Sequence, residues 1–218
     1  MEIPNDKVSG ISTDNLKGAI DTYIELGYHL VMIKPADDPT FALMAKEDSF
    51  IRIHERRGPV STKKGDITSF ARSPSSGEWH EGRAGMMYRD LIPGRIAGKV
   101  IASHIKLLED GPVNDYVHYH KVEFQMIYCL KGRIEVVYED QGPPFWLEAG
   151  DCVVQPPEIR HRVLFAEGNA EVLELTMPAE HETWVDHDLE LPNKTVDKAR
   201  LFNGQRFVLT KDTNNRPS

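Results

Sequence analysis

Apolar and polar positions follow two different periods along this chain. In NLKGAIDTYIEL, Leu16, Ile20, Tyr23 and Ile24 recur at helical spacing. Asp14 stands where an N-cap belongs and Gly27 supplies a stop, which predicts a helix between them. Strand-like runs follow at YHLVMIK, at FALMAK after the DDPT turn, and at SFIRIHER, and a weaker one, VSGIST, precedes the helix. The order of this first unit, residues 1–57, is β-α-β-β-β.

Residues 58–84 open with GPVSTKKGDITSFARSPSSG, rich in Ser, Gly, Pro and Lys, and read as a linker. Trp79, His80 and Arg83 lead from it into a strand-rich region. In KVIASHIKLL, Val100, Ala102 and His104 share one face opposite Ile101, Ser103 and Ile105. Further on, Glu123, Gln125, Ile127 and Cys129 point one way, and Phe124, Met126, Tyr128 and Leu130 the other. EDQGPPF is predicted to be an exposed loop, and residues 172–177 a last barrel strand. PAEHETWVDHDLELP, with His181 and His187, reads as a solvated acidic loop. GQRFVLT suits an edge strand and DTNNRPS a disordered tail.

The candidate chemistry lies between His118 and His161. On a strand, His118 and His120 project from the same face about 7 Å apart, so their imidazoles can converge on one ion. A histidine from another strand and one further donor would complete a site with open positions. That combination predicts a mononuclear metal centre inside a small β-barrel.

These residues fall into a spacing that resembles the cupin family. Gly111, His118, His120, Gln125 and Gly132 follow the first cupin motif; Gly150, Pro156 and His161 follow the second. The resemblance spans roughly residues 85–180. It implies a mainly β protein, with a double-stranded β-helix barrel at 85–190 and a C-terminal extension at 191–218. It also implies a divalent metal ion (Fe, Mn, Ni or Zn) held by His118, His120, His161 and a fourth donor.

Three positions depart from the family pattern. Gln125 stands for the acidic ligand, Glu158 for the turn glycine and Phe165 for an asparagine. Only Gln125 keeps the six-residue spacing to Gly132, so it is the expected fourth ligand. Glu123, two residues earlier, is the runner-up ligand or a catalytic base. Three neutral imidazoles and an amide leave the ion's charge uncancelled, which favours an anionic chelating substrate. With the histidine sites filled, His104 is expected to be a hydrogen-bonded core or edge residue. Val163 and Phe165 should give the pocket an apolar wall.

Family members with such sites include dioxygenases and metal-dependent isomerases or lyases of sugar acids; others bind small molecules without chemistry. The expectation is an enzyme, most simply of dioxygenase type. The β-α-β-β-β unit resembles one half of the glyoxalase (vicinal oxygen chelate) fold, in which a Glu on the last strand is a ligand. Glu55 holds that position, but VSGIST supplies no partner, so a packing module is the expected role.

Charge and composition narrow the alternatives. A net charge of −8 over 218 residues argues against nucleic acid or an anionic membrane as partner. No apolar run approaches a membrane span. MEIPNDKVSG has neither the basic start nor the apolar core of a secretory signal. The two cysteines, Cys129 and Cys152, sit inside predicted strands without a pairing pattern. The expected setting is the cytoplasm, and the expected partner a small molecule. Strand edges left open by a single β-α-β-β-β half point to a homodimer.

Overall fold

Fifteen strands and one principal helix emerge in the computed structural model, which describes residues 8–56, 79–92 and 94–213. The first unit runs β1 (Val8–Thr13), α1 (Leu16–Glu25), β2 (His29–Lys34), β3 (Phe41–Lys46) and β4 (Ser49–Glu55). Strand β1 lies parallel to β4, and β4, β3 and β2 follow antiparallel. Leu16, Ala19, Ile20 and Tyr23 turn the helix's apolar stripe onto Ile33, Ala42, Met44, Ile51 and Ile53. The opposite face of the sheet carries Met32, Leu43, Ala45 and Phe50 against Trp184.

The N-cap is Asn15 rather than Asp14. The Asn15 Oδ1 accepts from Gly18 N at 2.9 Å, whereas Asp14 pairs with Arg56 at the surface. Most of the predicted linker, from residue 57 to 78, lies outside the described residues, as does the tail from 214.

The barrel is built from β5 (His80–Glu81), β6 (Met87–Asp90), β7 (Ile101–Lys106), β8 (Gly111–Pro112), β9 (His118–His120), β10 (Phe124–Tyr138), β11 (Phe145–Glu148), β12 (Cys152–Gln155), β13 (His161–Met177), β14 (Thr183–Val185) and β15 (Val208–Thr210). Strands β10 and β13 pair along nearly their whole length, and β7, β8 and β9 add to the other edge of β13. Between them lies a core that includes Tyr88, Cys129, Ile134, Val136, Leu147, Val153, Ile159 and Val172.

Two motif positions fix the turns. Gly132 has φ +65°, and a Cβ there would stand 2.4 Å from the Glu167 carbonyl oxygen. Glu158, in the position of the turn glycine, adopts φ +63°. Its N–H donates to the His120 carbonyl at 3.1 Å, so the turn keeps its geometry without the glycine.

Three expectations are corrected. The stretch read as a solvated acidic loop contains β14, which pairs with β9 on one side and β2 on the other. Thr183 and Val185 are buried there, so barrel and first unit share one continuous sheet. The start of EDQGPPF is buried too, because the C-terminal extension covers it and Arg200 pairs with both Glu139 and Asp140. Phe165 turns away from the pocket: a bulge between Val163 and Phe165 shifts the alternation, and Ala166 faces inward instead. Phe165 then packs on Trp146, with ring centroids 6.2 Å apart.

Candidate metal centre

Strand register brings the three motif histidines together. His118 on β9 lies opposite His161 on β13, and His120 lies opposite Thr183 on β14. All three are buried, and their ligand nitrogens lie within 4.8 Å of one another.

The other nitrogen of each ring is tied down. His118 Nδ1 donates to the Tyr116 carbonyl at 2.8 Å and His161 Nδ1 to the Ile159 carbonyl at 2.9 Å. His120 Nδ1 is 2.8 Å from the Thr183 hydroxyl. A carbonyl can only accept, so in the neutral rings of His118 and His161 these bonds leave the lone pair on Nε2. Burial holds His118 and His120 well below the ordinary histidine range, reinforced by Arg83 and by neighbouring imidazoles. Burial likewise pushes His161 down to about 4. The rings are therefore neutral near pH 7, the state in which imidazole binds metal.

The residues fit a metal ion on a further count. His118 Nε2 is buried with no hydrogen-bond partner. Three neutral nitrogens with anchored second nitrogens are a donor set suited to Zn, Fe or Ni.

His120 and His161 line a cavity of about 50 Å³. Its wall is mostly apolar, with Met86, Ile127, Val136 and Val163 among the lining residues. Four of its polar members form a directed chain. Tyr138 Oη donates to Gln155 Oε1 at 2.6 Å, Gln155 Nε2 to Gln125 Oε1 at 3.0 Å, and Gln125 Nε2 to Glu174 Oε1 at 2.6 Å. Gln125 thus lies in the cavity as expected, 2% exposed, with its carbonyl oxygen engaged by Gln155.

Glu123 is not brought to the site. Strand β10 begins at Phe124, so the alternation does not extend back to residue 123, and Glu123 is exposed. The carboxylate on the cavity wall is Glu174, which sequence reasoning passed over. Its signal was a charged residue on the same strand face as Val172 and Thr176, inside a strand read as barrel core. Thr183, Gln155 and Arg83 were also missed; Gln155 carries no signal beyond its place in a strand, and Thr183 lies in the stretch read as a solvated loop.

Arg83 lies in a short turn, Arg83–Gly85, and pairs with Asp115. Asp115, fully buried, also accepts from Tyr116 N at 2.9 Å and from Val163 N at 3.0 Å. It ties together the segments that carry Arg83, His118 and His161. His104 lies apart, held by Glu171 at 2.7 Å and Arg89 at 3.0 Å. Cys129 is a core residue whose thiol burial pushes up to about 11. Glu55 accepts from Leu16 N at 3.3 Å, at the start of α1.

The motif spacing, the barrel and the buried histidine triad form a cupin-type arrangement that could hold a metal ion. Residues 107–177 match the Cupin domain family, and the barrel is a cupin domain. Similar solved structures include KdgF from Halomonas sp., 22% identical, with 46% of this chain and 87% of that one covered at a TM-score of 0.37. An RmlC-like cupin from Shewanella frigidimarina is 23% identical, with 52% and 92% covered at a TM-score of 0.40. The iron(II) form of HppE is 17% identical, with 51% and 62% covered at 0.43. At these scores the likeness carries no argument about chemistry. No curated protein matches the sequence. Among the described residues, no helix is long and apolar enough to cross a membrane.

Proposed function

We propose that this cupin is an enzyme holding one divalent metal ion on His118, His120 and His161, and acting on a small, oxygen-rich, chelating anion. Dioxygenase-type chemistry is the leading reading. The observation that carries it is the triad itself: three buried, neutral imidazoles, each with its second nitrogen anchored and one with an unpartnered Nε2. Gln125 is the proposed fourth donor, through the carbonyl oxygen that Gln155 now engages. A divalent ion bound there supplies Lewis acidity to a chelating substrate and, if it is iron, a redox centre for oxygen.

The chain's own residues orient and protect. Thr183, Tyr116 and Ile159 fix the imidazole planes. The apolar wall limits water around the reacting atoms. Glu174 Oε1 accepts from Gln125 and from the Thr176 hydroxyl at 3.1 Å, which leaves Oε2 as the atom able to take a proton. That carboxylate favours a second reading, a metal-dependent isomerase or lyase of sugar acids, because moving a proton needs a base and no oxygen.

Metal analysis of anaerobically purified protein, followed by oxygen uptake with diketones and sugar acids, tests both readings. Oxygen consumption supports the dioxygenase, and isomerised or cleaved sugar acid without oxygen supports the second. Bound metal with no turnover would leave a small-molecule-binding cupin, and protein without stoichiometric metal would overturn the proposal. H120A should lose the metal while keeping the barrel's circular dichroism.

We also propose a homodimer, with the exposed β15 edge and its neighbours Tyr128 and Leu130 as the surface to be covered. The β-α-β-β-β unit serves as a packing module in this reading.

A further inference from the structure

Arg83 stands at the tip of the hairpin formed by β5 and β6. The chain reaches this point through a tight passage. A Cβ on Gly82 would lie 2.6 Å from the Tyr88 ring and 2.7 Å from the Asp37 carbonyl oxygen, so only glycine fits. The hairpin is thereby pinned between the first unit and the barrel core, and the guanidinium is held over the Tyr116 ring, 5.9 Å from its centroid.

Three observations set this arginine apart from a purely structural ion pair. Its side chain is only 9% exposed, and its Nε is buried without a hydrogen-bond partner. Asp115 already accepts from Arg83 and two backbone N–H groups, so its remaining acceptor capacity cannot satisfy all the other guanidinium donors. Arg83 also lines the metal cavity, where it is the one Lys or Arg among the lining residues. The Tyr138 hydroxyl and the amides of Gln155 and Gln125 spend their hydrogen bonds along the chain to Glu174 Oε1, and Tyr88 Oη donates to Met86 Sδ. No ion pair joins Arg83 to Glu174 among the described residues.

A buried guanidinium with open donors matches a carboxylate better than any neutral group, since its fork can make two parallel N–H···O bonds. We propose that Arg83 is the anion anchor of the cavity and selects a small carboxylic acid of the 2-oxo or 2-hydroxy class. The carboxylate docks on Arg83, and the neighbouring oxygens of the same molecule face the histidines. This rests on the metal-site reading above and adds to it the class of substrate. A neutral diketone or a phenol would leave the Arg83 donors unpaired and is disfavoured.

The test uses the full-length protein loaded with cobalt(II), as wild type, R83K and R83Q, with metal content measured first. Each is titrated with oxalate, a carboxylate chelator, and with acetylacetone, a chelator without a carboxylate, following the cobalt absorption bands. R83Q should weaken oxalate binding about 30-fold and change acetylacetone less than about 3-fold. R83K, which keeps the charge and the Asp115 pairing but not the fork, should fall between, and it decides the matter if R83Q does not fold. Equal losses for both chelators would show a structural role only, and unchanged oxalate binding would show no role; either overturns the proposal. Failure of the wild type to hold cobalt would overturn the metal-site reading instead. Calorimetric titration of the metal-free wild type and variants with oxalate then decides Arg83, and absence of Arg83-dependent binding there overturns the anchor.

Discussion

The hydrogen-bond chain across the cavity gives Q125E an outcome of definite sign. Glu174 Oε1 can only accept from Gln125 Nε2, 2.6 Å away, and this sets the direction of every bond back to Tyr138. Replacing the amide by a carboxyl keeps the shape. With a proton on the new group, O–H donates to Glu174, the other oxygen still accepts from Gln155, and the pattern is restored. Without it, two carboxylates face each other in a buried cavity and a charge-assisted bond of about 1.5–3 kcal/mol is lost.

The pair therefore keeps one proton in the folded state well above the unfolded glutamate pKa of about 4.3. A raised folded pKa means that the native state binds more protons than the unfolded state as pH rises past that value. Stability then falls with pH by about 1.4 kcal/mol per unit until the folded pKa is reached. The penalty at high pH is therefore about 2–3 kcal/mol, the size of the charge-assisted bond that is lost. Urea unfolding of metal-free wild type and Q125E at pH 4.5, 6 and 8 measures it, and the wild type's own pH dependence cancels in the difference. The penalty should be small at pH 4.5 and largest at pH 8. A penalty that does not change with pH would refute the bond from Gln125 Nε2 to Glu174.

Three other outcomes follow from the same geometry. G132A places a methyl 2.4 Å from the Glu167 carbonyl and 2.9 Å from that of Gly168, backbone atoms that cannot swing aside, at φ +65°; it should cost about 3 kcal/mol or more in thermal or urea unfolding, and a loss below about 1 kcal/mol would show that the turn can open. T183V removes the partner of His120 Nδ1 and should weaken metal binding about 10–100-fold in competition with a chelator, with little change in melting temperature. In the metal-free protein, His161 is held down to about 4 while the unfolded chain protonates near 6.5, so its contribution is fully present above pH 6.5 and is lost as pH falls toward 4, by about 3 kcal/mol. Unfolding measured from pH 7 to 4.5 should show the decline, and a flat profile would mean that the imidazole is not buried and neutral.

The clustering of the three histidines was legible because its information is local: H-x-H on a strand fixes a face, and glycine spacing fixes the turns around it. The β-α-β-β-β order was legible for the same reason, from period and punctuation. Phe165 was misplaced because one bulge inverts every alternation after it, and nothing in VLFAEG announces a bulge. Glu123 was set on the cavity face because the alternation was carried back past Phe124, where β10 begins, and the acid that does reach the cavity, Glu174, comes from the distant β13. The burial of Thr183 and Asp140 depends on which segments cover them, β2 and the residue 193–200 region, and composition alone reads both as polar surface. Arg83 lies at the end of the stretch read as linker, residues 58–84, and its place in the cavity appears only when Asp115 is set beside it.

Strand β14 bears on how the molecule can be taken apart. Thr183 pairs with Ile33 of the first unit on one edge and with His120 on the other, and its hydroxyl meets the His120 ring. A barrel excised at residue 85, where the sequence invites a cut, would leave β14 with a raw edge and a slack tether on one of its histidines. The first unit therefore acts, through Thr183, as a splint for the His120 ring. Transplanting the barrel alone into another protein should carry the three histidines across without the stiffness that aims them.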